Sequence, residues 1–520
     1  VPDTNEVRRD VIVSEVCSLH TAGGRWALAA AVLASSAAFM WSAVGVALPS
    51  IQAYFNTRVA SLQWIFNANL LALSSLILLG GSLGDRFGRK RVFILGMMIF
   101  TSGALLSGLA GSVGLLIAFQ AVQGAGAALM VPQPLAIINA CFPDDERGQA
   151  IGLWAGLAGG IAALGPSLGG WLIDTISWRA AFFMPVPVLL VAIVVTARHV
   201  PEARRAVTGG LDWGGTFFML AGLAGLTYGF IGAPVYGWGA ASVLAGLIGG
   251  AAALAIFVLV ELKAAAPLVP FRIFKEPLVG GANVFTLLLY FALNGLFFFT
   301  ILNLQQAQGY SATVAGLAIL PPTVIITFLA GPAGALADRI GPRRQMIFGP
   351  LVVAAGMIIL ALGGPDGGYW RTFFPGLVLF GLGMAAVIAP LTKSALAVGP
   401  ALSGTASGVN NAVARVAAVM AVAVLGAVIL ATFSDRLDQT ISATDLSGAE
   451  KTEIIGQANR LGGIVLPVSL GAIERQAARQ AIDVSFVHGY RRVMGVCAGL
   501  AAASSLVAFL TIRRRPGTKE

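Results

Sequence analysis

The chain has 520 residues, 57% of them hydrophobic and only 11% charged, with a mean hydropathy of +0.85. That much apolar surface exceeds what one or two water-soluble cores can bury, so an ordinary soluble enzyme or nucleic-acid binder is excluded and an integral membrane protein remains. Cys17, Cys141 and Cys497 are scattered and form no CxxC or Cys/His spacing, so neither a disulfide framework nor a metal site is expected, and no cofactor is implied.

In chain order, residues 1–25 are polar and predict a cytoplasmic tail. A hydrocarbon core about 30 Å thick asks for roughly 20 apolar residues per helix. Fourteen such runs follow, near 26–50, 62–83, 92–112, 114–140, 148–172, 179–198, 212–232, 239–261, 279–305, 312–336, 345–363, 372–396, 404–432 and 489–512. The run GGSLGDRFGRKR at Gly80–Arg91 returns as GALADRIGPRR at Gly334–Arg344, and Gly81, Leu83, Asp85, Arg86 and Gly88 each meet the same residue 253 positions later. The first copy follows span 2 and the second follows span 10. Spans 1–6 and 9–14 are therefore two related halves, and spans 7 and 8 are an insert. The expected organisation is an N-terminal six-helix bundle at 26–200, a two-helix insert with its linkers at 201–278, a C-terminal six-helix bundle at 279–512 and a tail at 513–520.

Lys and Arg concentrate in the connections after spans 2, 4, 6, 8 and 10, whereas those after spans 1, 5 and 11 hold only Arg58, Arg179 and Arg371. The positive-inside rule then makes the first set cytoplasmic and predicts both termini inside. The linker from Glu261 to Pro277 mixes basic and apolar residues, which suits either a segment along the inner membrane surface or a plain linker. The stretch 434–488 holds seven of the 23 acidic residues and is read as an external loop. Within it Ser469 to Asp483 has the spacing of an amphipathic helix.

The DRxG loop after span 2, the run Gly165-Pro166-Ser167-Leu168-Gly169-Gly170 in span 5 and VALPSIQ at Val46–Gln52 resemble the major facilitator superfamily, specifically its fourteen-span drug:proton antiporter branch. QWIFNANLLALSSL from Gln63, QGAGAALMVP from Gln123 and SGVNNAVARV from Ser407 extend the resemblance over nearly the whole chain. It implies an all-α membrane protein with the major facilitator fold, two pseudo-symmetric six-helix bundles plus two inserted helices, fourteen in all. A helix N-terminus stabilises a nearby carboxylate by about 0.3–1 kcal/mol. By the resemblance Asp85 docks on the start of span 13 near Thr405, Arg89 pairs with Glu146, and Asp338 meets the start of span 5. Asp85, Arg86, Gly88, Arg89, Glu146, Asp338 and Arg339 would thus form a latch that closes the cytoplasmic side. The span 5 motif of Gly165, Pro166, Gly169 and Gly170, which predicts a kink and a close crossing, marks exporters in that branch. Gly124, Gly126, Gly152, Gly156 and Gly160 read as packing glycines.

Two charges that accompany proton coupling in the branch are replaced: Met40 stands where span 1 carries an Asp and Gln120 where span 4 carries an Arg. A charge at mid-membrane costs at least about 2.5–3.5 kcal/mol, and no acid falls near the middle of a span. Losing both members of an acid–Arg pair avoids stranding one of them. The expected cavity is lined by Met40, Trp41, Trp64, Asn67, Asn69, Gln120, Gln123, Asn294, Asn303, Asn411 and Arg415, an apolar and aromatic surface with a few amides that suits lipophilic or amphipathic cargo. Arg415 is either a functional cation or an anchor for span 13.

The sequence therefore predicts a monomeric inner (plasma) membrane exporter of small lipophilic molecules, working by alternating access among membrane lipids, with no role for nucleic acid. Proton antiport is expected from the resemblance, through a peripheral group such as Glu261, Asp174 or His488. The alternatives are a proton-independent lipid flippase or facilitator and a sensor-like paralogue. No constellation supports an enzyme.

Overall fold

Helices start where a side chain or a proline can answer for the unpaired N–H groups of the first turn. Thr21, Ser112 and Ser311 do so by accepting from Gly24 N, Leu115 N and Val314 N, at 3.2, 3.3 and 3.3 Å. Pro277 and Pro342 open two further helices, where a missing N–H costs nothing. In a computed structural model, which describes residues 11–13, 17–205, 210–264, 267–364, 368–398 and 402–512, fourteen helices are long and apolar enough to cross a membrane. They are span 1 (Ala22–Phe55), span 2 (Val59–Phe87), span 3 (Arg89–Gly108), span 4 (Val113–Cys141), span 5 (Asp144–Thr175), span 6 (Ala180–His199), span 7 (Trp213–Tyr236) and span 8 (Ala241–Lys263), followed by span 9 (Pro277–Gln306), span 10 (Ala312–Ala337), span 11 (Pro342–Leu362), span 12 (Phe373–Ala395), span 13 (Gly404–Ser442) and span 14 (Ala472–Thr511). The fold is all-α apart from two three-residue strands, Val11–Val13 and Ala203–Arg205, paired antiparallel with Ile12 opposite Arg204.

Spans 13 and 14 run well past the apolar stretches that mark them in the sequence. Hydropathy records only the part of a helix that meets lipid, while the end is set by capping. Glu474 accepts from Gly471 N at 2.8 Å and so starts span 14 well before its apolar part. Between these helices a short helix, Gly448–Ile455, opens on a Ser447–Glu450 capping box, and a 3₁₀ segment, Ala458–Gly463, follows.

The repeat seen in the sequence recurs in backbone geometry. Gly88 and Gly341 both hold positive φ, 106° and 86°, where the chain turns from span 2 to 3 and from span 10 to 11. Gly96 and Gly103 let span 3 close on span 4, and their equivalents Gly349 and Gly356, again 253 positions on, let span 11 close on span 12. A Cβ on Gly103 would lie 2.6 Å from Gln123 N, and one on Gly356 would lie 2.6 Å from Gly376 O.

The chain forms two compact units. One comprises Val1–Val44, Ala68–Ala224 and Gly250–Pro270; the other comprises Gly45–Asn67, Gly225–Gly249 and Phe271–Glu520. The division passes through spans 1, 2, 7 and 8.

Candidate functional site: the transport machinery

In the first unit, the DRxG loop is closed on itself. Arg89 donates from Nε and Nη2 to Asp85 Oδ1 at 3.0 and 2.8 Å, one helical turn away, and from Nη1 to the Ala136 carbonyl. The Arg89–Glu146 pair expected from the resemblance is not formed. Glu146 instead accepts from Ser18 Oγ at 2.8 Å and Leu19 N at 2.6 Å, with His20 at 3.8 Å. The segment before span 1 thus takes Glu146, leaving Arg89 to its nearer carboxylate. Glu202, which the sequence did not single out, occupies the start of span 3, accepting from Lys90 N at 3.1 Å and lying 3.7 Å from Arg91. The positive φ at Gly88 favours glycine, and a Cβ there would lie 2.5 Å from that carboxylate, so Glu202 would have to move. Arg86 lies over the Phe87 ring and Arg339 is exposed. The Asp338 side chain lies outside the described residues.

Deeper in this unit, Gln120 and Met40 stand at the two neutralised positions. Gln120 is fully buried and accepts from Trp41 Nε1 at 2.9 Å, while its amide donates to Gln123 Oε1 at 2.7 Å and Ser107 Oγ at 3.0 Å. A neutral, nearly saturated network therefore stands where the resemblance expects an ion pair. Span 1 breaks between Met40 and Ala43, and span 5 breaks at Leu164, so the two interruptions abut. A Cβ on Gly165 would lie 3.0 Å from Ser42 Oγ and 3.4 Å from Met40 Cα, and one on Gly169 would overlap Ala43 Cβ. Pro166 starts the second half of span 5, and Gly170 is buried beside Gly169. The span 1 break carries no sequence signal that singles it out, because VGVALP reads as continuous helix. Gly124 and Gly126 do pack, against Asn69 and Phe100, but Gly152, Gly156 and Gly160 have nothing within 4 Å of a built Cβ. That face of span 5 has no close neighbour among the described residues of the first unit.

Where spans 7 and 8 reach the linker, two carboxyl groups meet. Asp212 Oδ1 accepts from Gly215 N at 2.6 Å and Glu261 Oε2 accepts from Val269 N at 2.9 Å. Glu261 is 3% exposed. Their other oxygens, Asp212 Oδ2 and Glu261 Oε1, are buried without a donor and converge over Gly215, close to where its Cβ would be. Two ionised carboxylates cannot share such a site at low cost, so a proton between them is what the geometry accommodates.

In the second unit, the C-terminal part of span 1 and the N-terminal part of span 2 pack on spans 9 and 13. Gln63 donates to the Val422 carbonyl at 2.6 Å, Gln305 to the Val46 carbonyl at 2.9 Å and Gln306 to Gln52 Oε1 at 2.7 Å. The segment between spans 13 and 14 is seated on the same residues. Gln52 donates to the Arg460 carbonyl at 3.0 Å, Arg460 to the Asn56 side chain, and Arg479 to the carbonyls of Gly462 and Gln306. Asn67 and Asn303 are buried to 0% and 1% exposure, and neither atom of either amide has a hydrogen-bond partner among the described residues. In the first unit Asn69 keeps a partnerless Nδ2. Such groups cost about 1–3 kcal/mol each unless something pairs with them, which marks them as candidate cargo contacts.

The other expected lining residues divide. Trp64 is half-buried; Asn294 and Asn411 spend their amides on the Tyr290 and Ser407 carbonyls at 2.7 and 3.1 Å. Arg415 lies beside Tyr290 and makes no ion pair with a described residue. Phe66 meets Phe298 edge-on at 5.3 Å between ring centroids.

Fourteen membrane-length helices, with a repeated DRxG loop and buried amides left open to the described residues, define a polytopic membrane carrier. The chain belongs to the Major Facilitator Superfamily, whose family model matches residues 30–422. It is 31% identical over 494 residues to the tetracenomycin C resistance and export protein of Streptomyces glaucescens, covering 94% of this chain and 91% of that protein. It is 36% identical over 418 residues to the cephamycin export protein CmcT of Amycolatopsis lactamdurans, covering 77% and 84%. Among solved structures, a bacterial homologue of the human lysosomal transporter Spinster, inward-facing and unoccupied, aligns over 96% of this chain and all of that one. Its TM-score is 0.63 at 18% identity, which speaks to the fold alone.

Proposed function

We propose that the protein exports small amphipathic, drug-like molecules across the plasma membrane by alternating access, as a monomer with both termini in the cytoplasm. The observation that carries this reading is the pair of buried amides at Asn67 and Asn303 in the second unit, which make no hydrogen bond to a described residue. They offer hydrogen bonds without fixed charge to a hydrophobic cargo. The names of the relatives, which record resistance and export, point the same way. The DRxG loop with Asp85, Arg86, Gly88 and Arg89, joined by Glu202, Asp338 and Arg339, serves as the cytoplasmic latch, while Glu146 holds the segment before span 1. The abutting breaks at Met40–Ala43 and Leu164 give spans 1 and 5 a shared hinge.

Proton coupling falls to Asp212 and Glu261, the described carboxyl pair with two buried oxygens and no donor between them. This agrees with the neutral Met40 and Gln120, which leave the span 1 and span 4 positions unable to carry a proton.

The test is a panel of amphipathic antibiotics, puromycin among them, screened for raised resistance on expression in an efflux-deficient bacterium. Hits are followed by flux in everted vesicles. Export that needs an imposed pH gradient supports proton antiport, gradient-independent movement replaces it with a facilitator, and absence of any flux removes the exporter reading.

A further inference from the structure

Near the outer ends of spans 13 and 14 the second unit holds a cavity of about 690 Å³ lined by Arg436, Arg491, Arg492, His488 and Asp435. A second, apolar cavity of about 320 Å³, lined by Phe230, Trp238, Val424, Ala427 and Ala431, shares Val428 and Thr432 with the first. The two cavities adjoin at Val428 and Thr432 and are read together as one groove, cationic at one end and apolar at the other. None of the three arginines forms an ion pair with a described residue. Arg491 donates to the Gly363 carbonyl at 3.2 Å and Arg436 to Gln439 Oε1 at 3.1 Å, and the buried Nε of Arg436 has no acceptor.

Three guanidinium groups against one carboxylate give the polar end a net positive charge even with His488 neutral. On the orientation proposed above, that charge faces the outside, against the bias that keeps Lys and Arg in the cytoplasm. Its cost falls if an anion completes the site. Trp238 and Tyr236, at the turn between spans 7 and 8, mark the depth at which aromatic rings sit in the headgroup region. The apolar lining from Val424 to Ala431 then runs from that level toward the bilayer middle along span 13.

We propose that this groove is a binding site for an anionic phospholipid of the outer leaflet. Its phosphate is held by Arg436, Arg491 and Arg492, and an acyl chain lies between span 13 and the hairpin of the inserted helices at Phe230 and Trp238. The lipid would fasten the insert to span 13. Assignment to the outer leaflet rests on the proposed orientation, whereas binding itself does not.

Native mass spectrometry of the full-length protein, released from detergent containing equal amounts of phosphatidylglycerol and phosphatidylcholine, tests the site. The expected result is one tightly retained phosphatidylglycerol, with retention weakened about fivefold for each arginine replaced in Arg436→Gln, Arg491→Gln and Arg492→Gln. The matching lysine variants should keep most of it, which separates loss of charge from failure to fold. Trp238→Ala should weaken long-chain but not short-chain phosphatidylglycerol. Equal retention of the two lipids, or retention unchanged in the triple glutamine variant, would overturn the proposal. Competition by glycerol phosphate as strong as by phosphatidylglycerol would also overturn it, leaving an anion pocket without a lipid.

Discussion

At Gly88, backbone and side-chain demands coincide: φ is 106° and Glu202 occupies the space that a Cβ would need. Gly341 shares the backbone demand at φ 86° but has open space around it. Gly88→Ala should therefore cost more than Gly341→Ala: about 1–3 kcal/mol from backbone strain at either site, and more at Gly88 because Glu202 must leave the start of span 3. Thermal unfolding of the two variants in detergent measures the difference, and equal losses would mean that Glu202 adds nothing. The Met40 and Gln120 positions give a second comparison. Met40→Asp alone strands a carboxylate in a neutral network and should lower folded yield, at a cost of at least about 2.5–3.5 kcal/mol. Adding Gln120→Arg should recover part of that loss. A double-mutant cycle on thermal stability reads the coupling, and additive effects would show that the two positions do not meet as a pair.

Among elements, the helices of the membrane core were legible because apolar length and capping residues declare them. The ends of spans 13 and 14 were not, because polar helix outside the bilayer has no hydropathy signature. Glu202 was equally hidden. Nothing in PEARR around it identifies the carboxylate that caps span 3, since the contact joins residues 112 positions apart. The segment at 434–488 read as an external loop without a task, yet Arg460 and Arg479 fix it to Asn56 and Gln306. Arg460→Ala removes a charge-assisted hydrogen bond, worth roughly 1.5–3 kcal/mol. It should speed hydrogen exchange in Ala458–Gly463 while leaving Gly448–Ile455 protected by its own cap. That cap responds to pH. Hydrogen bonds from Ser447 and then Ser469 hold the exposed Glu450 carboxyl below the usual carboxylate range. Its stabilisation is present above the unfolded value and is lost as pH falls through the lower folded one. Protection of Gly448–Ile455, corrected for the intrinsic pH dependence of amide exchange, should fall on acidification and become insensitive to pH in Glu450→Gln.

For the whole molecule, the two-fold repeat was readable from a dozen residues, since one offset of 253 positions relates the DRxG loops, the positive-φ glycines and the glycines that let spans 3 and 11 close on their neighbours. The driving force was not readable, because it depends on which carboxyl groups meet in space. Sequence order separates Asp212 from Glu261 by two spans, and only folding brings their partnerless oxygens together over Gly215. If this pair carries the coupling proton, Glu261→Gln should fold normally. Its amide still accepts from Val269 N and can donate to Asp212, reproducing the protonated state. The variant would then be unable to take up or release the proton that converts a gradient worth about 2.3 kcal/mol per charge per 100 mV into cargo movement. Everted vesicles should show loss of gradient-driven accumulation of a compound that the wild type exports. Exchange of labelled for unlabelled compound across the same membrane should persist, because rocking and cargo binding do not pass through the pair. Unimpaired gradient-driven accumulation would return the coupling to another group, and loss of exchange together with accumulation would show that Glu261 holds the linker at Val269 rather than a proton.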